Sequence, residues 1–533
     1  MATQLNNWLS IDKISGTGNA QITLTASSYT ELVDRATSIK IQAQTTNAIL
    51  NVRQNALVPS ATLDSYEITT YGGGTYTNGI TSNVPWTAVV NGNWITIDKT
   101  QGGSGYTTLS ITLEDPTEAR NGSIVFNAEG VVLTLQIYQI YDLKKSYFWV
   151  EFEKANGTIS GLTNTYTDMY HSFDGITWLT TPNTLSMGDN TLVYFKNNSK
   201  KIPNLNIKFN SNAKIGGDMS SIVDMAENCC KDIFDGNTFI TDASELILPW
   251  TTLANGCYGM MFQGCTSLTT APELPATTLA NGCYGMMFQG CTSLTTAPVV
   301  LPATTLTKEC YRGMFKNCTS LTKAPELPAT TLAEKCYYGM FQGCSSLVNA
   351  PTLPATTLAG YCYYQMFSGC SSLVSAPELP ATTLAEWCYG DMFYICESLV
   401  IAPALPATTL ADNCYKSMFA VCKSLVYAPS ILPATTLANG CYYNMFITCL
   451  SLKKAPKLPA TTLVGGCYHN MFMDCKSLNY IKMLAINYRY DSLEGWTKNV
   501  ASSGTFIKHP DAANPPRGDS GIPHGWKIET ATE

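Results

Sequence analysis

Thr330-Thr331-Leu332-Ala333-Glu334-Lys335-Cys336-Tyr337-Tyr338-Gly339-Met340-Phe341-Gln342-Gly343-Cys344-Ser345-Ser346-Leu347 is one copy of a unit that runs without interruption from Thr251 to Leu478. Its general form is L-P-A-T-T-L-a-x-x-C-Y-x-x-M-F-x-x-C-x-S-L-x-x-A-P-x. The first cysteine falls at Cys257, Cys283, Cys310, Cys336, Cys362, Cys388, Cys414, Cys441 and Cys467, giving nine copies. The steps are 26 residues apart from two of 27, each lengthened by one residue before L-P-A-T-T, at Val299–Val300 and Ser430–Ile431. Thr251–Pro272 and Thr277–Pro298 are identical throughout. A fixed period of this length predicts a solenoid, in which each copy buries an apolar face against its neighbours.

Within a copy the two cysteines are eight residues apart with a methionine midway, as in Cys336, Met340 and Cys344. Positions i, i+4 and i+8 share one face of a helix. Thr331 with Glu334, and Thr383 with Glu386, have capping-box spacing, and Pro328 and Pro380 stop the segment before. The spacing therefore predicts a helix of about three turns. The S-L-x-x-A-P-x-L tail, as in Ser346 to Leu353, predicts an extended segment that proline keeps short or interrupted.

This pattern resembles the BspA-type leucine-rich repeats, on the core Met340-Phe341-Gln342-Gly343-Cys344-Ser345-Ser346-Leu347 and its eight equivalents. The resemblance covers roughly 230 residues and implies a solenoid used for surface binding. The L-P-A-T-T-L insert departs from the family's unit.

The chain has 533 residues, a net charge of −7 and only 13% charged residues. That argues against a nucleic-acid grip, which needs clustered Lys and Arg. No apolar run approaches membrane-spanning length. Met1-Ala2-Thr3-Gln4-Leu5 has neither the basic nor the apolar region of a signal peptide. Eighteen of the twenty cysteines belong to the repeat. Eight residues along a helix is roughly 12 Å, about twice a disulfide's usual Cα separation. Without a C-x-x-C pair and with only four histidines, zinc fares poorly. The cysteines are read as buried free thiols packing as small hydrophobes.

Before the repeats the chain alternates as strands do: Ile22-Thr23-Leu24-Thr25, Ile39-Lys40-Ile41-Gln42 and Ile49-Leu50-Asn51-Val52, then a longer set ending at Leu133-Thr134-Leu135-Gln136-Ile137. Short strands at regular spacing predict small Ig-like β-sandwiches over 1–56 and 57–141. Both resemble the Bacteroidetes-associated carbohydrate-binding often N-terminal (BACON) domain. The first copy carries Trp8-Leu9-Ser10-Ile11, Gly16-Thr17-Gly18, Arg35 and Val52-Arg53-Gln54. The second carries Trp86, Trp94, Gly102-Gly103, Arg120 and Tyr138-Gln139. The first copy lacks the family's opening strand. The resemblance implies carbohydrate binding or a spacer role.

Residues 142–217 read as a third small β-domain with a hairpin at Asp174-Gly175. Residues 218–250 read as a degenerate leading repeat, with Cys229 and Asn237 at the cysteine positions and Phe234 at the phenylalanine. The repeats fill 251–480, and 481–533, with Trp496, Phe506 and Trp526, reads as the other cap. The expected fold class is thus multidomain β plus α/β repeat: Ig-like sandwiches, then a capped leucine-rich-repeat-type solenoid.

No catalytic constellation emerges. His171, His469, His509 and His524 share no motif, no paired carboxylates recur on one repeat face, and no phosphate-binding glycine loop is present. Neither a cofactor nor a metal is expected. The free positions of the repeat are the binding candidates. Just before the first cysteine stand Lys335, Tyr361, Trp387 and Asn413; Tyr361 and Trp387 become stacked neighbours that suit a sugar ring, though single exposed aromatics are normal and a hydrophobic patch packing on the domain itself or on another subunit is the leading reading. The tail contributes Lys323, Glu326, Asn349, Glu378, Tyr427 and Lys454, with Glu273 and Lys457, as a second surface or an ordinary solvated face. Pro516-Arg517-Gly518-Asp519-Ser520 contains an integrin-type tripeptide and is read as a turn.

These readings lead to a non-enzymatic recognition protein. Modules of gut-bacterial surface type without a leader fit a bacteriophage virion appendage, tail-associated or capsid-attached, made in the host cytoplasm, from a phage of gut Bacteroidetes such as the crAss-like group. Its expected partners are other virion proteins through the β-domains, a host-surface glycan or protein through the solenoid, and further copies of itself. A bacterial cell-surface adhesin and a purely structural scaffold are the alternatives.

Overall fold

The computed structural model describes residues 7–18, 21–42, 46–70, 73–114, 116, 119–162, 168–200 and 205–532, so the N-terminal Met1–Leu5 stretch lies outside the described residues. The described chain is mostly β, in many small open sheets. Helix is confined to the single turns Leu143–Ser146 and Tyr490–Leu493 and the 3₁₀ turn Met219–Ser221. Two compact units divide at Asp142/Leu143.

In the first unit the strands are β1 (Leu9–Ile11), β2 (Leu24–Ala26), β3 (Arg35–Gln42), β4 (Asn47–Gln54), β5 (Ala61–Leu63), β6 (Glu67–Thr70), β7 (Gly74–Ser82), β8 (Trp86–Asn91), β9 (Ile95–Ile97), β10 (Gln101–Gly102), β11 (Gly105–Leu113), β12 (Arg120–Ala128) and β13 (Val131–Gln139). Sheets β10-β8-β12-β13-β6 and β5-β7-β11-β9 share one core. Alternate residues of β12 and β13 (Ile124, Phe126, Leu135, Ile137) point into it with Ile80, Leu109 and Ile111, as a half-buried strand's period of two dictates.

Residues 7–56 form only half of that plan. The β1–β2 register repeats β9–β11, and β3–β4 repeats β12–β13. Nothing among the described residues corresponds to β5 through β8. The consequence is a core of Leu9 and Ile39 with a few flanking side chains, while Ile49 stays 68% exposed. Both halves share a latch. Arg35 Nε donates to Gln54 Oε1 (3.0 Å) and its guanidinium covers Trp8 (4.4 Å); Arg120 Nε donates to Gln139 Oε1 (2.7 Å) and covers Trp94 (4.5 Å). Trp94, rather than Trp86, is therefore the counterpart of Trp8.

The second unit begins with β14 (Phe148–Phe152), β15 (Thr158–Ser160), β16 (Met169–Ser172), β17 (Leu179–Thr180), β18 (Thr184–Ser186), β19 (Leu192–Asn197), β20 (Lys208–Phe209), β21 (Ala213–Asp218) and β22 (Ile240–Ile247). β22 closes the sheet β17-β16-β19-β14-β21-β22 and passes a parallel bridge from Asp242 to Thr270 of the first repeat. One hydrophobic core runs from Phe148 to Trp526. The boundary drawn from sequence at 217/218 is thus not a break in the packing.

The repeats contain no helix, which corrects the expectation of a three-turn helix between the cysteines. Alternate amides reach the next copy: Tyr337 N–H to Cys362 C=O (3.0 Å), Gly339 to Tyr364 (2.8 Å), Phe341 to Met366 (2.9 Å) and Gly343 to Ser368 (2.8 Å). The amides between them turn back three residues: Tyr338 to Lys335, Met340 to Tyr337, Gln342 to Gly339 and Cys344 to Phe341. The segment is a ribbon of overlapping β-turns, with positive φ one residue before, three after and seven after the first cysteine in every copy. Gly, Asn or Asp fills more than half of these positions, and such residues tolerate the left-handed region. A helix would satisfy amides within itself; the ribbon satisfies half of them across the stack, so it forms only with neighbours. The Thr331–Glu334 pair caps nothing: Thr331 N–H bonds Thr304 C=O, and Glu334 pairs with Lys308 and Lys335.

The tails meet through isolated parallel bridges, as in Lys323↔Asn349↔Ser375↔Ile401↔Tyr427, so proline does keep each strand to a residue. Inside, Phe234 through Phe472 form a column of parallel rings, for example Phe315, Phe341 and Phe367 at 5.6 Å per step, and the repeat tyrosines form another. All twenty cysteines are buried and unpaired. The second cysteine of each copy donates its thiol to the phenylalanine carbonyl of the copy before, as Cys370 Sγ does to Phe341 O (3.1 Å). Asn237 does the same to Ile207 (3.1 Å) in the leading repeat. Phe148 meets the Phe column at one end and Trp496 at the other, beside the parallel sheet β23 (Tyr480–Lys482), β24 (Gly504–Lys508) and β25 (Trp526–Thr530).

An aromatic ridge as the candidate functional site

The turn ribbon leaves two outward columns, one residue before and two residues after the first cysteine. The first carries Lys335, Tyr361 and Trp387; the second carries Arg312, Tyr338, Tyr364, Gly390, Lys416, Tyr443 and His469. Together they build one half-buried ridge. Tyr361 and Trp387 lie 6.0 Å apart at 10°, and Tyr364 sets its edge against Trp387 at 5.7 Å. Gly390 makes that contact possible, because a Cβ there would stand 2.9 Å from Tyr364 and 3.0 Å from Trp387. Lys335 lies over Tyr361 (5.7 Å), and Lys416 lies between Trp387 (4.5 Å) and Tyr443 (4.8 Å). Tyr443 then stacks on His469 at 4.5 Å. A lysine and then two rings, twice over, thus form a pile that crosses six copies.

This geometry changes the chemistry expected from sequence. The faces of Trp387 are taken by Tyr361 of the preceding copy and Lys416 of the following one, so ring edges point outward. An aromatic edge carries the positive side of the quadrupole. Burial, with Glu386 nearby, raises the pKa of Tyr361; burial, with a hydrogen bond to Asp391, raises that of Tyr364. Both remain neutral phenols. Hydrogen bonds to Lys308 and Lys335 lower the pKa of Glu334, and its partner Lys335 is raised in turn.

Tyr361 and Trp387 also stand at φ +57°, a region bulky side chains avoid. Four of the nine copies place glycine there: Gly256, Gly282, Gly440 and Gly466.

The other sequence-selected residues lie elsewhere. Lys323, Asn349, Tyr427 and Lys454 sit on the bridge column and are exposed; Glu326 bridges Val300. Glu378 lines a cleft of about 500 Å³ with Pro377, Pro380, Pro403 and Pro406. Ser375 and Ile401 complete the column and were missed, as were Tyr338, Tyr364, Lys416, Tyr443 and His469. Aligning the copies two places after the cysteine would have found the latter five. Arg517 is held by the carbonyls of Pro523 and Trp526, and Gly518 N–H by Ile522 C=O, so the tripeptide is a turn.

Two segments match one family. Residues 3–55 and 84–139 fit the BACON family, described as "Putative binding domain, N-terminal". The two BACON segments are the ones that share the Trp–Arg–Gln latch. No curated protein matches the chain. Among solved structures, the "Bacteroides ovatus GH5 xyloglucanase in complex with a XXXG heptasaccharide" is 17% identical with a TM-score of 0.16. It covers 17% of this chain and 20% of its own. The chain thus spans about a fifth of that enzyme's length.

Proposed function

We propose that this is a non-enzymatic recognition protein whose repeats, read as a capped leucine-rich-repeat solenoid, engage a surface glycan through the aromatic ridge. The observation that carries the reading is the pair Tyr361–Trp387. Two bulky rings occupy neighbouring left-handed positions that four of the nine copies give to glycine, and strain of this kind gathers where a site requires a particular side chain. The BACON match supports a binding role for the N-terminal modules. Binding of the chain to a glycan array and to whole cells tests this, with Trp387→Gly as the variant that keeps the backbone relaxed. Loss of binding is expected; undiminished binding refutes the ridge.

The setting we propose is a virion appendage of a phage infecting gut Bacteroidetes, attached through the N-terminal modules. Twenty unpaired buried thiols suit folding in a reducing cytoplasm, and two identical repeats suit a changing recognition surface. Proteomics of purified particles tests it: recovery only from bacterial outer-membrane fractions would favour an adhesin instead. A scaffold role has Ile401 and Tyr427 in its favour, 58% and 61% exposed on adjacent bridges. Self-association lost on Tyr427→Ser would support it.

A further inference from the structure

Resting on the glycan reading of the ridge, we infer that its ligand is anionic: a glycan bearing a carboxylate, such as a uronic or sialic acid, which Lys416 receives. Other cations of the ridge are neutralised within it. Arg312 pairs with Glu309 at 3.1 Å and Lys335 with Glu334 at 3.1 Å. Lys416 differs. Its ammonium lies between the Trp387 and Tyr443 rings, and no carboxylate among the described residues comes within ion-pair distance. The nearby aspartates are otherwise engaged. Asp391 accepts from the Gln365 side-chain amide at 3.3 Å and from the Tyr364 hydroxyl, and Asp412 accepts from the Asn439 backbone N–H at 2.9 Å.

The rings hold the ammonium in place without cancelling its charge, since a quadrupole attracts a cation but donates no counter-charge. An ammonium has three donors and no acceptor, so its outward hydrogens are free for an incoming oxygen. Partial burial beside the rings lowers the local dielectric and strengthens a charge-assisted bond there. The outward edge of Trp387, whose faces Tyr361 and Lys416 cover, adds positive potential around the same point. Fixed cation and ring edge therefore complement an anion, whereas a neutral sugar would leave Lys416 covered and unpaired.

The test uses the full chain on an array that prints oligogalacturonate, oligoglucuronate and sialylated glycans, each beside its methyl ester. Esterification removes the charge and keeps the ring. The acid of at least one pair should bind ten times or more tighter than its ester. Lys416→Met should bring that ratio close to one, and Lys416→Arg should keep most of it. Raising salt from 50 to 500 mM should weaken the acid and spare the ester. Esters that bind as well as acids, with binding still lost on Trp387→Gly, would overturn the anionic ligand and leave the glycan reading standing. Absence of binding to every printed glycan by the unaltered chain would overturn both. Unchanged circular dichroism and unchanged hydrogen exchange of peptides spanning 383–420 for Lys416→Met separate a loss of charge from a loss of fold.

Discussion

Replacing Trp387 by glycine or by alanine should rank in an unusual order: the glycine variant should be the more stable. Both substitutions delete the same contacts, those with Tyr361, Tyr364 and Lys416. At about 0.5–1.5 kcal/mol per ring pair and about 0.5–1 kcal/mol for the cation, both should loosen the ridge. The backbone tells them apart. Position 387 has φ +57°, where a Cβ costs roughly 1–2 kcal/mol. Alanine keeps that cost and glycine removes it, while glycine gives back roughly 0.5–1 kcal/mol through the greater freedom of its unfolded chain. The difference should be about 0.5–1 kcal/mol in favour of glycine, a two- to five-fold difference in local opening. Global melting of a repeat stack is not two-state, so hydrogen exchange of peptides spanning 383–420 is the suitable assay. Alanine more protected than glycine would refute the left-handed ribbon itself, and with it the argument that strain marks the site.

Phe341→Ala should cost roughly 3–5 kcal/mol locally, because its ring is fully buried between Phe315 and Phe367. Exchange should also quicken in the flanking copies, whose amides share its ladder; unchanged protection there would disprove the cross-copy hydrogen bonding. Denaturation without reductant should release most of the twenty thiols to a thiol reagent, and recovery of two or so would mean disulfides. In the native protein, Cys229 should alkylate first as pH rises through about 7, since a hydrogen bond from Cys230 pulls its pKa down to that value. Burial raises Cys344 and Cys422 to about 12 from an ordinary 9.0. Their stabilising effect is complete below pH 9.0 and disappears as pH climbs toward 12, so the stack should unfold in alkali; a flat stability from pH 9 to 12 would contradict it.

The period, the copy boundaries and the burial of cysteine, methionine and phenylalanine were legible because nine aligned copies average away the noise of any one. The leading repeat was legible for the same reason, through Phe234 and Asn237. The local backbone was not. Apolar residues at i, i+4 and i+8 fit a helix and fit equally a turn ribbon whose left-handed residues recur every four positions. The distinguishing sign was what stood between them: Gly339, Gly343, Asn444 and Asn470 are poor helix formers that share two fixed columns. The ridge was half legible. Tyr361 and Trp387 stand in one column, but Tyr364 and Lys416 join them from a second, and only the ribbon's geometry brings the two columns together. The incomplete first module was visible as a missing strand. That Trp94 matches Trp8 needed the cation–π latch.

The identical copies Thr251–Pro272 and Thr277–Pro298 present the same rings, amides and carbonyls at both of their junctions. A deletion or duplication between them leaves every remaining interface as it was. Their phenylalanines stand 5.5 Å apart. Each gain or loss of a copy would therefore move the ridge by that step relative to the leading sheet, without altering a single contact inside either. Unequal recombination between the identical copies would thus change, in whole increments, how far the ridge stands from the leading sheet while the ridge itself is inherited intact.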